Sequence, residues 1–208
     1  MRIIAGTQRG RSLSAPSGAT TRPTAQRMRQ AIFDMLMHAP WYGRETLQEA
    51  VVLDAFAGTG ALGLEALSRG AQFATFMESS RVGMTALQAN LRACQMSDKA
   101  RLRSCDVTRP PKASRPHSLI FLDPPYHKGL VEKGLRALYR GGWLAPGALI
   151  VAETENVTGA DEEIFQPFHA HLPPHREVPP PETIAHRQFG AGSITIWVHQ
   201  PDLIPTQS

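Results

Sequence analysis

The chain has 208 residues, of which 42% are hydrophobic and 19% are charged, and its formal net charge is +4 at pH 7. This composition excludes a disordered or fibrous protein and is typical of a globular chain with one main core. No apolar run approaches the roughly 18–20 residues that a membrane-spanning helix needs, and the N-terminal residues lack the apolar core of a signal peptide. Two cysteines, Cys94 and Cys105, are too few for a disulfide framework. We therefore expect a cytoplasmic protein.

The positive charge is concentrated near the N-terminus. Residues 1–44 contain seven arginines and one acidic residue, Asp34, whereas the rest of the chain contains 15 basic and 17 acidic residues. The alternative is an ordinary solvated surface in a chain that prefers arginine to lysine. Because no acids offset these arginines, a basic arm on a nearly neutral body favours a polyanion as the partner. The candidate phosphate ligands are Arg2, Arg9, Arg11, Arg22, Arg27 and Arg29.

The first predicted elements are a hairpin and a helix. Residues 2–5 and 11–15 are short strand candidates, and two glycines between them indicate a turn. After a loop rich in serine and threonine, apolar residues at helical spacing predict a helix over 24–37. Residues 38–49 are predicted to be a connection. The basic residues expected away from the apolar stripe of the helix are Arg27 and Arg29.

From residue 50 onward, strands alternate with helices. The predicted strands cover residues 51–54, 73–78, 101–105, 118–122, 148–153 and 193–198. The predicted helices cover residues 61–69, 81–95 and 130–139. This alternation indicates parallel βαβ units with right-handed crossovers. The pattern degrades beyond residue 156, so we expect an N-terminal extension over 1–44, a main domain over 45–200 and a flexible tail over 201–208.

A glycine-rich turn follows the strand that begins at residue 51. Gly58, Gly60 and Gly63 satisfy the pattern G-x-G-x-x-G, and Glu78 lies 18 residues after Gly60. Glycine lets the backbone pass close to a ligand, and the start of the following helix offers free N–H groups. An acid at the end of the next strand can bind ribose hydroxyls. These features alone do not separate a nicotinamide cofactor from S-adenosylmethionine.

Two further acids favour S-adenosylmethionine. Asp54 precedes the glycines, where its negative charge would repel a pyrophosphate but tolerate a cationic sulfonium or amino acid group. Asp106 follows the strand predicted over 101–105, where it could accept a hydrogen bond from an adenine amino group. The acids fall in order at the ends of successive strands, where open α/β sheets bind ligands. The candidate cofactor-binding residues are Asp54, Ala55, Phe56, Gly58, Gly60, Glu78, Ser79, Asp106 and Val107.

The segment 119–126 carries the candidate catalytic residues. Four apolar residues predict a short buried strand that ends in Asp123, Pro124, Pro125 and Tyr126. The two prolines fix φ and remove two backbone donors, so the carbonyls before them are free and rigidly aimed. Acceptors beside a flat aromatic ring suit a planar amine such as the exocyclic amino group of a nucleobase. The segment resembles motif IV of amino-methyltransferases that use S-adenosylmethionine.

The chain as a whole resembles the RsmD family, bacterial guanine-N2 methyltransferases of small-subunit ribosomal RNA. The similarity runs from Arg2 to about Glu153, with a weaker continuation to Val198. The motifs that carry it are the N-terminal segments 2–6, 9–11, 22–24 and 27–29, the glycine segment 56–71 and the catalytic segment 123–126. Adenine-N6 and cytosine-N4 enzymes share the catalytic motif, whereas the arginine signature joined to this glycine turn is specific to the family.

The resemblance implies a class I methyltransferase sheet of seven strands, the last antiparallel, with the N-terminal hairpin and helix as an RNA-binding extension. It implies S-adenosylmethionine as the cofactor and 16S ribosomal RNA in an assembled or nearly assembled small subunit as the partner. Two departures stand out: Ala25-Gln26 occupy a point where an acid is expected, and the stretch 169–181 is unusually rich in proline.

Three rival functions stay open at this point. An adenine-N6 or cytosine-N4 methyltransferase acting on DNA usually needs an added recognition region, for which no segment here is long enough. A nicotinamide-dependent oxidoreductase leaves the Pro-Pro-Tyr turn and the arginine arm without a role, and a non-catalytic RNA-binding factor does not need the ordered acids. His169, His171 and His175 lie among prolines without a second ligand cluster, so we expect no metal site. We expect a monomer that does not bind membranes.

Overall fold

The computed structural model describes residues 1–15, 23–125, 129–155, 182–189 and 192–199. Its helices are α1 (Pro23–His38), α2 (Gly43–Glu49), α3 (Ala61–Ser68), α4 (Arg81–Ala93) and α5 (Leu130–Arg140). Its strands are β1 (Val51–Ala55), β2 (Phe73–Met77), β3 (Ala100–Arg103), β4 (His117–Leu122), β5 (Leu144–Glu155), β6 (Glu182–Phe189) and β7 (Gly192–Val198). Within these described residues, no helix combines the length and the apolar character that crossing a membrane requires.

The seven strands form one mixed sheet in the order β3-β2-β1-β4-β5-β7-β6. Neighbouring strands from β3 to β5 are parallel, whereas β7 lies antiparallel between β5 and β6. This arrangement confirms the predicted α/β class and the antiparallel last strand. The order reverses between β1 and β4, and the carboxyl ends of strands at such a point form a crevice where ligands bind.

Two apolar clusters cover the two faces of the sheet. The first contains buried residues of the N-terminal arm, α1, α3 and α4, with Phe33 and Phe121 in ring contact at a centroid distance of 5.7 Å. The second lies under α5 and includes the buried rings of Trp143 and Trp197. Every strand from β1 to β5 except the edge strand β3 is buried along most of its length, which explains why the sequence predicted these strands.

The N-terminal arm, residues 1–15, folds back on itself and packs on α3. The predicted hairpin has a single bridge, between Arg2 and Ser12, although backbone hydrogen bonds such as Ile3 N to Arg11 O at 3.0 Å extend the pairing. Gly6 has φ +82°, and a Cβ there would lie 1.8 Å from the Ser68 carbonyl oxygen. The turn of the hairpin therefore requires glycine both for its conformation and for its close approach to α3.

Glu65 on α3 is the main anchor of the arm. Its fully buried carboxylate accepts hydrogen bonds from Ile4 N at 2.8 Å, from Ala5 N at 3.0 Å and from Arg69 Nε at 2.8 Å. The Nε atom of Arg29 lies 3.8 Å from the same carboxylate. The free-energy cost of burying this charge is offset by the three hydrogen bonds and by the two nearby guanidinium groups.

Arg29 on α1 is buried, although it was predicted to be exposed. It is only 3% exposed, and its Nη2 donates to the Arg2 carbonyl at 2.5 Å while its Nε faces Glu65. A buried guanidinium that neutralises a buried carboxylate is not available to an RNA phosphate. Arg27, by contrast, is exposed as predicted.

Three other features differ from the predicted elements. The connection expected over 38–49 contains the helix α2, which buries one leucine, Leu47. Strand β5 begins at Leu144, four residues earlier than predicted, and strand β6 had no predicted counterpart. Short or mostly exposed elements bury little apolar surface, so their sequences carry a weak periodic signal. The division at residues 44 and 200 stays a prediction, and the segments 169–181 and 201–208 lie outside the described residues.

His117 at the start of β4 predicts a pH dependence of folding. The residue is 1% exposed, its Nε2 lies 2.9 Å from Thr75 Oγ1, and its ring stacks on Trp143 at 5.3 Å. Burial, aided by the nearby positive charge of Arg115, lowers the pKa of His117 to about 4 from 6.5. The unfolded chain thus binds a proton that the folded chain does not, and His117 removes stability as pH falls from 6.5 towards 4.

We expect His117→Gln to lose this pH dependence. A pKa difference of this size corresponds to about 3 kcal/mol in the free energy of unfolding. The difference in unfolding free energy between wild type and variant should therefore change by that amount between pH 7 and pH 4, with the wild type losing more towards acid. Urea denaturation at a series of pH values measures it. A difference that is constant with pH would contradict the assignment.

Candidate active site at the carboxyl edge of the sheet

The catalytic and cofactor motifs meet because β1 and β4 are neighbours. Their parallel register pairs Asp54 with Phe121 and Ala55 with Leu122. Asp123 therefore follows β4 directly beside the point where the chain leaves β1 for the glycine turn. The two segments are thus neighbours at the carboxyl edge, and the expectation that they open onto one cleft stays a prediction.

The glycine turn is a tight backbone loop between β1 and α3. Gly58 and Gly60 have φ values of +54° and +80°, and Gly60 N donates to the Ala57 carbonyl at 2.7 Å. A Cβ on Gly60 would lie 2.3 Å from Leu87 Cδ1, so α4 packs directly against the turn. The turn lies between the end of β1 and the start of α3, at the carboxyl edge where open α/β sheets bind ligands.

Glu78, which follows β2, holds the glycine turn from one side. Its Oε2 accepts from Gly58 N at 2.7 Å and its Oε1 accepts from Ser80 N at 2.6 Å. Each carboxylate oxygen has two lone pairs, so both can accept a further hydrogen bond from a ligand hydroxyl. Ser79, beside it, is exposed. The position predicted for ribose binding is thus preorganised by the backbone.

Asp54 is buried under the glycine turn rather than open to solvent. It is 1% exposed, and its Oδ2 accepts from Gly63 N in the first turn of α3 at 2.8 Å. Burial raises the pKa of Asp54 to about 7. The hydrogen bond from Gly63 N lowers this pKa, and the negative charge of Glu78 raises it further. A carboxyl group poised near neutrality ionises readily when a cation comes close.

Phe56 and the Asp106–Val107 pair line the same edge. Phe56 has φ +65°, a left-handed conformation that is costly for a bulky side chain and is typical of functional sites. A Cβ on Gly134 of α5 would lie 3.3 Å from the Phe56 ring and 3.2 Å from Val107 Cγ1, so both side chains pack closely against α5 at this glycine. Val107 is buried, whereas Asp106 is exposed.

The carboxylate of Asp106 is held in a defined orientation. Its Oδ1 accepts from both the backbone N and the hydroxyl of Thr108, each at 2.8 Å. Both hydrogen bonds lower the pKa of Asp106, and the one from the backbone has the larger effect. The group is therefore an ionised acceptor at the edge of the cleft.

Asp123 sits at the centre of a group of carboxyls. The residue is exposed at the carboxyl edge, and its side chain shares a hydrogen bond with Glu153. The pKa of Asp123 is raised well above its usual range, mainly by loss of solvation. The negative charges of Glu153 and Asp54 raise it further. Pro124 is buried and Pro125 exposed, and Tyr126 lies outside the described residues.

Sequence reasoning missed two residues of this region. Glu153 lies in β5, two residues before its end at Glu155, and the register pairing of Leu122 with Ala152 places it beside Asp123. Its only sequence signal is that it is an acid at the end of the strand predicted over 148–153. Asn90 on α4 carried no signal, yet its buried amide donates to Thr59 O at 2.9 Å and to Ser14 O at 3.0 Å, while its Oδ1 accepts from Ser14 N at 2.7 Å. Asn90 thus joins the arm to the glycine turn.

The predicted phosphate ligands are distributed unevenly. Arg2, Arg9, Arg11 and Arg27 are exposed, Arg29 is buried, and Arg22 lies outside the described residues. Within the described part of the chain, no group of three or more potential metal ligands comes together. The three histidines of the proline-rich stretch 169–181 also lie outside the described residues.

Comparison with known proteins agrees with this site. The fold and the ordered motifs at its carboxyl edge define the class of S-adenosylmethionine-dependent methyltransferases. Residues 1–171 match the family model described as "Conserved hypothetical protein 95". The chain belongs to this family, that of ribosomal RNA small subunit methyltransferase D.

Individual relatives cover most of the chain. Ribosomal RNA small subunit methyltransferase D of Escherichia coli strain K12 is 40% identical over 159 residues, which are 76% of this chain and 77% of the relative. The protein of the same name from Haemophilus influenzae is 38% identical over 160 residues, covering 74% of this chain and 79% of the relative. The solved structure of the putative methyltransferase yhhF from Escherichia coli matches with a TM-score of 0.74 and 32% sequence identity. The match covers 96% of this chain and 98% of the yhhF chain.

Proposed function

We propose that the protein transfers a methyl group from S-adenosylmethionine to the exocyclic N2 of a guanine in 16S ribosomal RNA. We place the substrate in an assembled or nearly assembled small subunit. The observation that carries the proposal is the position of Asp123 beside the glycine turn, at the point where the sheet order reverses. Family membership supports rRNA as the substrate class.

The residues of the cleft suit S-adenosylmethionine. The cofactor supplies an electrophilic methyl group carried on a cationic sulfonium. The buried carboxyl of Asp54 offers a counter-charge to such a cation, and the free lone pairs of Glu78 suit ribose hydroxyls. Asp106 is an ionised acceptor for the adenine amino group, and the apolar side chains of Phe56 and Val107 would flank the base.

Asp123 and the Pro124 carbonyl are the proposed acceptors for the two hydrogens of the target amine. A guanine in a paired helix hides this edge, so the base must be unpaired or flipped out, and the ring of Tyr126 would stack on it. The acceptors hold the N2 lone pair towards the methyl carbon and stabilise the positive charge that the nitrogen gains as the new N–C bond forms. The methyl–sulfur bond breaks as this bond forms, which leaves the sulfur uncharged, and the nitrogen then releases a proton to solvent. Positioning supplies much of the remaining rate, because in-line transfer needs no covalent enzyme intermediate.

The ionisation of Asp54 predicts a pH dependence of cofactor binding. A cationic ligand favours the carboxylate, so binding to a group with a pKa of about 7 releases protons, and affinity should rise between pH 6 and pH 8. Asp54→Asn keeps an acceptor for Gly63 N but removes the charge. We expect about tenfold weaker binding, or about 1.4 kcal/mol, and a smaller pH dependence. Isothermal titration calorimetry in buffers of different ionisation enthalpy counts the protons; an unchanged count would contradict the role of Asp54.

The exposed arginines of the arm are expected to bind phosphates. Arg9 and Arg11 are both exposed, and contacts of this kind give affinity rather than base choice. Arg9→Glu with Arg11→Glu should weaken RNA binding and reduce the slope of log affinity against log salt by about 2. The matched control reverses two arginines on the helices α4 and α5, Arg92 and Arg140, which are also exposed. Equal affinities for the two double variants would contradict the arm assignment.

The decisive experiment for the proposed function offers the protein three substrates. Isolated small subunits, free 16S ribosomal RNA and DNA are incubated with labelled S-adenosylmethionine, and the modified nucleotide is identified by mass spectrometry. We expect N2-methylguanine, formed fastest on subunits. Methyladenine, methylcytosine or modification of DNA alone would replace the proposal with an adenine-N6 or cytosine-N4 activity.

A further inference from the structure

A second basic region lies outside the N-terminal arm. Residues 99–115 contain six basic residues and one acid, Asp106, although the chain beyond residue 44 has more acids than bases overall. We name this region the basic loop surface. Its basic residues are Lys99, Arg101, Arg103, Arg109, Lys112 and Arg115.

The basic loop surface carries more positive charge than its one acid can offset. All six residues are exposed except Arg103, which is partly exposed, and among the described residues none of them forms an ion pair within 4 Å. The carboxylate of Asp106 accepts two hydrogen bonds from Thr108 and also interacts with the charge of Arg109. Exposed arginines elsewhere, such as Arg92 and Arg140, also lack ion pairs with the residues that the structure describes, so the distinctive feature of this surface is the number of basic residues within 17 positions.

The loop that carries these charges is fixed to the body of the protein. The Pro111 carbonyl accepts from Trp143 Nε1 at 2.8 Å, and Ala113 N donates to the Gly141 carbonyl at 2.9 Å. Two adjacent prolines, 110 and 111, further restrict the backbone. Exposed side chains on an anchored loop lose less entropy when they bind a ligand than side chains on a mobile one.

One end of the basic loop surface lies near Asp106 at the carboxyl edge. Arg109 N donates to the Asp106 carbonyl at 3.0 Å, so this end of the surface adjoins the carboxyl edge. Cys105 and Ala113 pack with the apolar cluster under α5, whereas the arm packs on the opposite face of the sheet. The Arg109 end of the surface therefore lies at the carboxyl edge, whereas the Lys112 end, held by Trp143 and Gly141 just before β5, lies towards the amino edge.

Protection of an edge strand explains only part of this charge. Strand β3 is at the edge of the sheet, where charged residues prevent pairing with another chain. That role accounts for Arg101 and Arg103 on the strand. Arg109 and Lys112 lie in the loop, where no strand edge needs protection, so a binding partner accounts for them better.

We propose that the basic loop surface binds phosphates of a second segment of the same RNA whose guanine enters the cleft. This inference rests on the proposed function, since it takes ribosomal RNA as the substrate. An RNA segment that follows the loop from Arg109 towards Lys112 is held at a second place, away from the arm and from the target base. Two separated contacts fix its orientation better than one, which is what positioning of an amine requires.

The test compares Arg109→Gln/Lys112→Gln with the control Arg92→Gln/Arg187→Gln, which removes the same charge from exposed positions on α4 and on the far edge strand β6. Both variants and the wild type are titrated with free 16S ribosomal RNA at several salt concentrations, and methylation of isolated subunits is followed in parallel. For the loop variant we expect affinity to fall about fivefold or more and the salt slope to decrease by about 2. The control should bind as the wild type does, and S-adenosylmethionine affinity should be unchanged in both.

Each outcome decides one of the two proposals. If the wild type methylates guanine and the loop variant binds free RNA as tightly as the control, the inference is overturned. Weaker binding to subunits alone, with unchanged affinity for free RNA, also overturns it and assigns the surface to a protein of the subunit. A wild type that methylates no ribosomal RNA overturns the proposed function instead.

Discussion

Asp123→Ala is expected to reduce methyl transfer about 10³-fold while S-adenosylmethionine binding stays within about threefold of the wild type. The carboxyl of Asp123 is the proposed acceptor for the target amine, and its removal leaves the developing charge on nitrogen without its nearest compensating group. The proposed cofactor ligands Asp54 and Glu78 keep their own hydrogen bonds to Gly63 N and Gly58 N in this variant. Single-turnover methylation of isolated subunits, together with calorimetric titration of the cofactor, separates the two effects.

Two further variants sharpen this prediction. Asp123→Asn retains an oxygen that accepts one hydrogen bond, so it should keep more activity than the alanine variant. Asp98→Ala removes an exposed acid in the short turn before β3 and should transfer methyl groups at the wild-type rate. If the alanine variant at position 123 were as active as the one at position 98, the assigned role of Asp123 would be wrong.

The main sheet was predictable because each of its inner strands is a short apolar run beside a helix. Residues 119–122, for example, are all at most 1% exposed, so their sequence is continuously hydrophobic. Strand β6 is the opposite case, since Thr183, His186 and Arg187 are exposed on the edge of the sheet. Its pairing with β7 depends on backbone hydrogen bonds, which leave no periodic pattern in the sequence.

The site was predictable to the extent that its residues stand at strand ends. Asp54, Glu78, Asp106 and Asp123 each follow or close a recognisable strand, and parallel strands bring such ends to one edge. Asn90 has no such marker, because its partners Ser14 and Thr59 are far from it in the chain.

Arg29 was predicted wrongly as an exposed side chain for a related reason. A charged residue is usually exposed, and the exception depends on a buried partner that the sequence does not mark. That partner is Glu65, on a different helix. Pairing between distant residues is the information that local periodicity lacks.

The buried carboxylate of Glu65 predicts the largest effect on stability. Glu65→Gln places an amide NH2 among the donors Ile4 N, Ala5 N and Arg69 Nε, and it leaves the buried Arg29 and the partly buried Arg69 without a counter-charge. Breaking a buried ion pair by removing one partner costs about 3–5 kcal/mol. We expect a loss of this size in the free energy of unfolding, measured by urea denaturation at pH 7, and faster proteolysis within residues 1–15.

The chain offers a matched control for this substitution. Glu132 forms the same kind of pair with a residue one helical turn away, Arg136 at 2.7 Å, but on the partly exposed surface of α5. Glu132→Gln should cost at most about 1 kcal/mol, because solvent screens the charges. Equal losses for the two variants would show that burial does not set the strength of the Glu65 anchor. A large loss at position 65 alone would mean that the arm is part of the cooperative fold, so RNA bound to the arm is held in a fixed position relative to the cleft.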